Sequence, residues 1–153
     1  MTMVCDEGTT LLARRLRNVE DCRRFIIGGK ATFTLRSGRT QARFTYKVKA
    51  SKDGGVHFVS LMTGPDNESH FSYVGYIRRD VFFYGGAKSR VSRDQKSVQA
   101  FEWTWRELMR GNLPDVLEVW HEGRCCRCGR KLTVPESIES GIGPECAGRM
   151  KNV

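Results

Sequence analysis

Four of the six cysteines in this chain lie between residues 125 and 146, in the segment CCRCGRKLTVPESIESGIGPEC. Cys125 and Cys128 have the C-x-x-C spacing, in which one tight turn directs two thiolates at one metal ion. Gly129 favours that turn and frees backbone N–H groups to hydrogen-bond the sulfurs. Cys146 follows a Gly-Ile-Gly-Pro sequence, and Pro144 suits the first position of a helix. We therefore expect Cys146 in the first turn of a short C-terminal helix, where it supplies a third sulfur.

A structural zinc ion takes four ligands, and the sequence offers two candidates for the fourth. His121 lies just before the cysteines, at the end of the predicted strand VLEVWH. Its imidazole can fold back onto the C-x-x-C turn. Cys126 is adjacent to Cys125, so its side chain should project away from an ion that Cys125 holds. We predict one structural Zn²⁺ held by His121, Cys125, Cys128 and Cys146, with Cys126 as the alternative fourth ligand.

Disulfide and redox chemistry fit these cysteines less well. The N-terminus, MTMVCDEGTTLLARRLR, carries early acidic residues and no apolar run of signal length, and no stretch is long enough to span a bilayer. This favours a cytoplasmic location, where stable disulfides are rare. A redox dithiol of the thioredoxin kind needs a strand–helix context that the segment lacks. Cys5 and Cys22 have no partner at ligand spacing, and we expect Cys22 to be a small core residue.

The C-terminal segment also carries a recognisable motif, G-x-C-x-x-C-G-R-x-L-T, followed by a Ser-Ile pair and G-I-G-P-x-C. The matching residues are Gly123, Cys125, Cys128, Gly129, Arg130, Leu132, Thr133, Ser137, Ile138, Gly141, Ile142, Gly143, Pro144 and Cys146. Residues 121–147 thereby resemble a small zinc-finger module common in proteins of tailed bacteriophages. Residues 58–77 are similar to the strand region that precedes this module in such proteins. The resemblance implies a phage origin and a metal-holding finger. It implies no activity, because the family is defined by its finger, and the doubled cysteine at 125–126 departs from its commoner pattern.

The charge of the chain points to a polyanionic partner. Lys and Arg number 26 against 17 Asp and Glu, which gives a net charge of +9, and the segment 31–51 contains no acidic residue. Such an excess favours nucleic acid, although the simpler alternative is that it only keeps the chain soluble. The cations that we predict to contact nucleic acid are Arg36, Arg39, Arg43, Lys47, Lys49, Arg124, Arg127, Arg130 and Lys131. Three thiolates and Zn²⁺ sum to −1, so some cations near the cysteines could instead balance the site.

Hydrophobic periodicity predicts the elements that position these residues. A helix is expected over residues 9–26, with Thr9 or Thr10 as its N-cap and an end at Gly28. Alternating patterns then predict five short antiparallel strands within residues 31–86. On the second strand Phe44, Tyr46 and Val48 should face the core. A second helix should start at a capping box of Ser92 and Gln95 and bury Val98, Phe101, Trp105 and Leu108, with Trp103 at an edge or exposed.

Aromatic side chains accompany the cations on the predicted sheet. His57 or Phe58, with Phe71, Tyr73 and Tyr76, lie on strands next to the basic one. A basic sheet face with interleaved aromatics is typical of proteins that bind single-stranded nucleic acid. The alternative is that these aromatics belong to the core and that the cations form a solvated outer face.

The pattern as a whole predicts an α+β fold: a small antiparallel sheet with two helices and a C-terminal zinc-finger module. We expect an α+β domain over 1–114 and the module over 115–153, packed on it. The sequence contains no P-loop, nucleophile or acid–base motif, which favours a protein that is not an enzyme. The leading hypothesis is a phage-encoded accessory protein that binds nucleic acid. The alternative is an inhibitor or modulator of a host protein (a defence nuclease, a CRISPR effector or a polymerase) that uses exposed Trp103 or Trp120.

Overall fold

The computed structural model describes residues 14–64, 70–132 and 135–151. It contains one seven-stranded antiparallel sheet in the order β1-β7-β2-β3-β4-β5-β6. The strands are β1 (Arg15–Leu16), β2 (Lys30–Ser37), β3 (Arg43–Ala50), β4 (His57–Met62), β5 (Phe71–Arg78), β6 (Val81–Tyr84) and β7 (Leu117–His121). The helices are α1 (Val19–Ile26), α2 (Lys96–Met109), α3 (Pro135–Ser140) and α4 (Pro144–Lys151), with a short 3₁₀ turn at Gly86–Lys88. The predicted α+β class is confirmed, and β2 to β6 are the five predicted strands.

The hydrophobic core packs against one face of the sheet, which is called the inner face below. Tyr46 and Val48 of β3 are fully buried, and they pair with Phe33 and Ala31 of β2 and with Leu61 and Val59 of β4. Phe101 of α2 packs its ring on those of Phe33 and Tyr46, at centroid distances of 6.3 and 5.3 Å. Because alternate residues of a strand face opposite ways, this leaves the cations of β3 on the other, outer face.

The first helix is shorter than the sequence predicts, which corrects the helix expected over 9–26. Leu16 belongs to β1, where it pairs with Val119 of β7, and α1 starts only at Val19. Asn18 caps α1, its Oδ1 accepting a hydrogen bond from the backbone N–H of Asp21 at 2.8 Å. The predicted N-caps, Thr9 and Thr10, lie outside the described residues, as does Cys5.

The second helix forms where the sequence predicts it but starts differently. Gln95 is the N-cap residue of α2, and its side chain makes no capping hydrogen bond. The Ser92 hydroxyl donates instead to Asp94 Oδ1 at 2.5 Å, so the predicted capping box does not form. Trp105 is buried as expected, and its indole N–H donates to Asp80 O at 2.9 Å. Trp103 makes the edge contact, being partly buried against the core.

Strand β7 lies inside the sheet, between β1 and β2, although it follows the predicted boundary at 114/115. Leu117, Val119 and His121 are buried on the inner face, while Trp120 lies on the outer face opposite Thr34 of β2. The C-terminal segment is therefore anchored in the sheet before its cysteines begin. In the part of the chain that the structure describes, none of the helices has the length and apolar character needed to cross a bilayer.

Candidate metal centre and basic cleft

A short hairpin after β7 presents the C-x-x-C pair. The backbone N–H of Cys125 donates to Arg130 O at 2.8 Å, and that of Leu132 donates to Gly123 O at 2.9 Å. Between them the chain reverses, with the N–H of Gly129 donating to Cys125 O at 2.9 Å. Gly129 has φ of 79°, a left-handed conformation that glycine adopts without strain. The tight turn predicted from Gly129 is confirmed.

The structure brings together the sulfurs of Cys125, Cys128 and Cys146, which all lie within 4.8 Å of one another. Cys146 lies in the first turn of α4, as predicted, and is buried, as is Cys125, whereas Cys128 is exposed. Backbone donors point at the cluster, because the N–H groups of Gly143 and Arg127 lie 3.3 and 3.5 Å from Cys125 Sγ. Three thiols at this spacing can hold one metal ion, and the donor set fits zinc.

The protonation chemistry of these thiols also fits a cation. Burial raises the pKa of the Cys125 thiol, but hydrogen bonds from the backbone of Gly143, Cys128 and Arg127 outweigh it and lower the pKa to about 7. Burial, with hydrogen bonds to Cys128 and Cys125, raises the pKa of the Cys146 thiol to about 11. One thiolate therefore forms readily and the next is opposed by its neighbours. A bound divalent cation offsets that repulsion, which is why metal binding releases protons from such clusters.

His121, the predicted fourth ligand, is not brought into this cluster. It is 3% exposed on the inner face, where its ring stacks on Phe25 with centroids 5.5 Å apart. Both ring nitrogens have other partners: the N–H of Gly123 donates to Nδ1 at 2.9 Å, and Nε2 donates to Ile138 O. Burial lowers the pKa of His121, so the neutral ring with its proton on Nε2 fits these two bonds. The arrangement is that of a core histidine, and the fourth ligand stays a prediction.

Cys126 points away from the cluster, as its adjacency to Cys125 predicts. Its thiol is buried near Arg24 O, at 4.0 Å, and burial raises its pKa to about 12. A Cβ on Gly28 would lie 2.5 Å from Cys126 Sγ, so the glycine after α1 allows the hairpin to pack against the sheet. The backbone N–H of Lys30 donates to Cys126 O at 2.7 Å, which fixes the hairpin beside the start of β2.

A cleft of about 670 Å³ lies where this hairpin meets the outer face of the sheet. Its lining residues are Lys30, Thr32, Lys47, Lys49, Glu122, Arg124 and Gly129. Four of these side chains are cationic and one is acidic. The structure thus brings together Lys47 and Lys49 of the predicted sheet set with Arg124 of the predicted hairpin set.

The remaining predicted cations of the sheet lie away from the cleft. Arg36 Nη1 bonds both carboxylate oxygens of Glu118, at 3.0 and 2.9 Å, so its charge is locally balanced. Arg43 is exposed and stands opposite Arg36 in the register of β2 and β3. Arg39 is exposed in the turn between the same strands.

The other predicted hairpin cations are not among the residues that line the cleft. Arg130 and Lys131 are exposed, and Arg130 lies 3.9 Å from Glu145, a contact between two largely solvated side chains that contributes little. Arg127 is half-buried, and its Nη1 has no hydrogen-bond partner. Whether these three residues balance the charge of the metal site or contact nucleic acid stays a prediction.

Two features of this surface escaped the sequence prediction. Lys30 is absent from the predicted cations although it lines the cleft and pairs with Lys49. Continuing the alternation of β2 from Thr32 back to residue 30 would have predicted Lys30 on the outer face. A β-bulge is the second feature: the register of β4 and β5 shifts between Val59 and Ser60. The local signal for it is Gly75, which pairs with Val59 beside the shift, because an isolated glycine within a strand pattern is typical of a bulge.

Comparison with known proteins relates only the C-terminal segment to others. Residues 116–151 match the model of a protein family described as a family of unknown function, DUF6011. Neither the curated proteins nor the solved structures contain a match. The matched segment spans β7, the hairpin with Cys125 and Cys128, and both C-terminal helices, including Cys146 of α4. The relationship therefore covers the candidate metal centre.

Proposed function

We propose that this chain is a phage-encoded, non-enzymatic accessory protein that binds nucleic acid in the host cytoplasm. Its contact surface is the cleft between the sheet and the hairpin, and a structural Zn²⁺ stabilises the hairpin side. The phage origin rests on the resemblance of residues 121–147 to the phage finger. The binding function rests on the charge arrangement in the cleft.

One observation carries the binding proposal: Lys30 and Lys49 stand directly opposite each other on neighbouring strands. Like charges at directly opposed positions destabilise a sheet, typically by about 0.2–1 kcal/mol. Among the described residues, no carboxylate forms an ion pair with Lys30 or Lys49, whereas Arg36 is paired with Glu118. Lys47 and Arg124 add two more charges to the same cleft. A phosphate backbone would neutralise all four, with release of its counterions.

The metal's role in this proposal is structural. The described residues that follow β7 bury few apolar side chains besides the cysteines, among them Leu132, Ile138 and Ile142. So small a core is generally insufficient to fold a module, and a structural zinc ion contributes the missing stability. Cys125, Cys128 and Cys146 would hold the ion, and the hairpin that carries two of them also carries Arg124. The finger therefore supports one wall of the cleft.

A second candidate function has its own observation in support. A small apolar groove of about 110 Å³ lies at the far end of the sheet, between β2, β3 and α2. Phe44, Trp103 and Val116 line it, and Val116 is 37% exposed. Such a groove suits an apolar side chain of a partner protein, in line with an inhibitor or modulator of a host protein. Trp120, the other predicted anchor, instead donates its indole N–H to Glu118 at 3.0 Å.

Oligonucleotide binding by a matched pair of variants tests the leading proposal. The cleft variant combines Lys30→Gln, Lys49→Gln and Arg124→Gln. The control variant removes the same charge from α2 and its C-cap residue, on the opposite side of the sheet, by Lys96→Gln, Arg106→Gln and Arg110→Gln. Fluorescence anisotropy with a labelled 20-mer at low salt should show about tenfold or greater weakening in the cleft variant, because three phosphate contacts are lost. Equal weakening in both would mean that only net charge matters, and absence of binding by the wild type would favour the host-protein alternative.

A further inference from the structure

The outer face of the sheet carries an unusual concentration of exposed apolar side chains. Phe58, Val81 and Phe83 are 44%, 51% and 44% exposed, and all three lie on this face, in β4 and β6. Large exposed apolar patches on a soluble domain mark binding surfaces more often than scattered single residues do. Here two of the three residues are aromatic, and both pair with the same strand, β5.

The bulge in β4 and β5 enlarges this aromatic set. Ser60 pairs with Tyr73 and Val59 with Gly75, so Val74 is an extra residue in β5. The extra residue interrupts the alternation of side chains, and both Tyr73 and Tyr76 come to lie on the outer face. A regular strand would have sent one of them into the core. The irregularity therefore places a second tyrosine on the exposed surface.

The aromatic rings are arranged as a continuous surface. Tyr76 stands opposite Phe58 on one side and Phe83 on the other. The rings of Tyr76 and Phe83 are stacked, with centroids 5.3 Å apart and planes inclined by 23°, and Phe58 contacts Tyr73 at 6.4 Å. Aromatic faces of this kind can stack on a planar base of any identity.

The aromatic surface adjoins the cationic cleft without a gap. Phe58 of β4 is the direct cross-strand neighbour of Lys49 of β3, which lines the cleft. Lys47, also in the cleft, holds its Nζ 4.9 Å from the ring centre of Phe71 in β5. Neighbouring strands are about 4.8 Å apart, so the face changes from cationic to aromatic within one strand spacing. In a nucleic-acid chain, the phosphate and the base of one nucleotide are separated by a similar distance.

We propose that the polymer bound in the cleft is single-stranded, with its phosphates on Lys30, Lys47, Lys49 and Arg124 and its unpaired bases stacked on Phe58, Tyr76 and Phe83. This inference rests on the proposed function and specifies its ligand. A duplex keeps its bases paired and stacked on one another, so their faces are not available to side chains. An apolar protein surface would cover the aromatic rings but would leave the four adjoining cations without counter-charges.

Four labelled probes separate bases from phosphates. They are a (dT)20 strand, an (rU)20 strand, a 20-base-pair duplex, and an abasic strand of 20 phosphates. At low salt we expect the wild type to bind (dT)20 at least tenfold more tightly than the duplex or the abasic strand. The ratio of (rU)20 to (dT)20 affinity distinguishes RNA from DNA as the preferred strand. Replacing both Phe58 and Phe83 by alanine should weaken (dT)20 binding by about a hundredfold, or about tenfold for each ring.

Matched variants distinguish a loss of base stacking from a folding defect. Phe58→Tyr with Phe83→Tyr retains two stacking rings and should bind (dT)20 nearly as the wild type does. Val116→Ala removes an exposed apolar group from the far end of the sheet and should leave affinity unchanged. The alanine variant should still bind the abasic strand normally. Equal wild-type affinity for all four probes would overturn the stacking inference while leaving the proposed function intact; failure to bind any probe would overturn both.

Discussion

Replacing His121 by phenylalanine distinguishes a zinc ligand from a core residue. The variant keeps an aromatic ring against Phe25 but removes both nitrogens, so Gly123 N–H and Ile138 C=O lose their partners. A buried group left without its partner costs about 1–3 kcal/mol. With the ring packing retained, we expect His121→Phe to lower the free energy of unfolding by about 2–6 kcal/mol for the two groups together. At about 2–4 °C for each kcal/mol in a chain of this size, the midpoint should fall by roughly 4–24 °C.

The metal content of that variant decides the question. We expect His121→Phe to retain one zinc per folded chain, measured by elemental analysis after dialysis and paired with thermal unfolding by circular dichroism. Cys128→Ser is the positive control, because it removes a clustered sulfur and should lose the ion. Cys126→Ser is the negative control, because its thiol lies by Arg24 O and not in the cluster. A folded His121→Phe protein without zinc would show that the ring turns to the metal and would refute the core-residue interpretation.

Three further predictions concern the packing of the hairpin, a buried hydroxyl group and the removal of zinc. Gly28→Ala should destabilise the protein by about 1–3 kcal/mol, since its Cβ would lie 2.5 Å from Cys126 Sγ; an unchanged denaturant midpoint would show that the hairpin is not packed there. Tyr46→Phe should cost about 1–2 kcal/mol in urea unfolding, because the buried hydroxyl donates to Ser97 O at 2.5 Å, whereas a neutral effect would mean that water replaces it. Chelation at neutral pH should release one zinc per chain, and protease should then cleave the C-terminal segment before the rest of the chain. Uniform cleavage along the chain would contradict this prediction.

The sequence predicts the centre of the sheet well because alternation is a local property. Tyr46 and Val48 are two residues apart, and one period of the strand determines that both face the core. The same logic, applied to β7, would have placed His121 inward beside Leu117 and Val119, where the structure has it. The prediction of a fourth ligand instead gave more weight to the position of His121 next to the cysteines.

What the sequence could not predict depends on pairing between distant segments. Leu16 has helical spacing from Val19, yet it pairs with Val119 in β7, which no local pattern reveals. Alternation places Lys30 on the outer face, but the hairpin that forms a cleft there is fixed by the distant hydrogen bond between the backbone of Lys30 and Cys126 O. The cysteine cluster was predictable because the C-x-x-C turn and the first turn of α4 have characteristic local sequences, and two such turns leave few ways to place three sulfurs.

The dependence of oligonucleotide affinity on salt tests the binding proposal most directly. Each phosphate neutralised on a single strand contributes about −0.7 to the slope of log K against log salt concentration, so the four cleft cations predict a slope of about −2.8. The variant lacking Lys30, Lys49 and Arg124 should retain a slope of about −0.7, while the variant with the same charge removed from α2 should keep the wild-type value. A wild-type slope near zero, or equal slopes in the two variants, would contradict phosphate binding in the cleft.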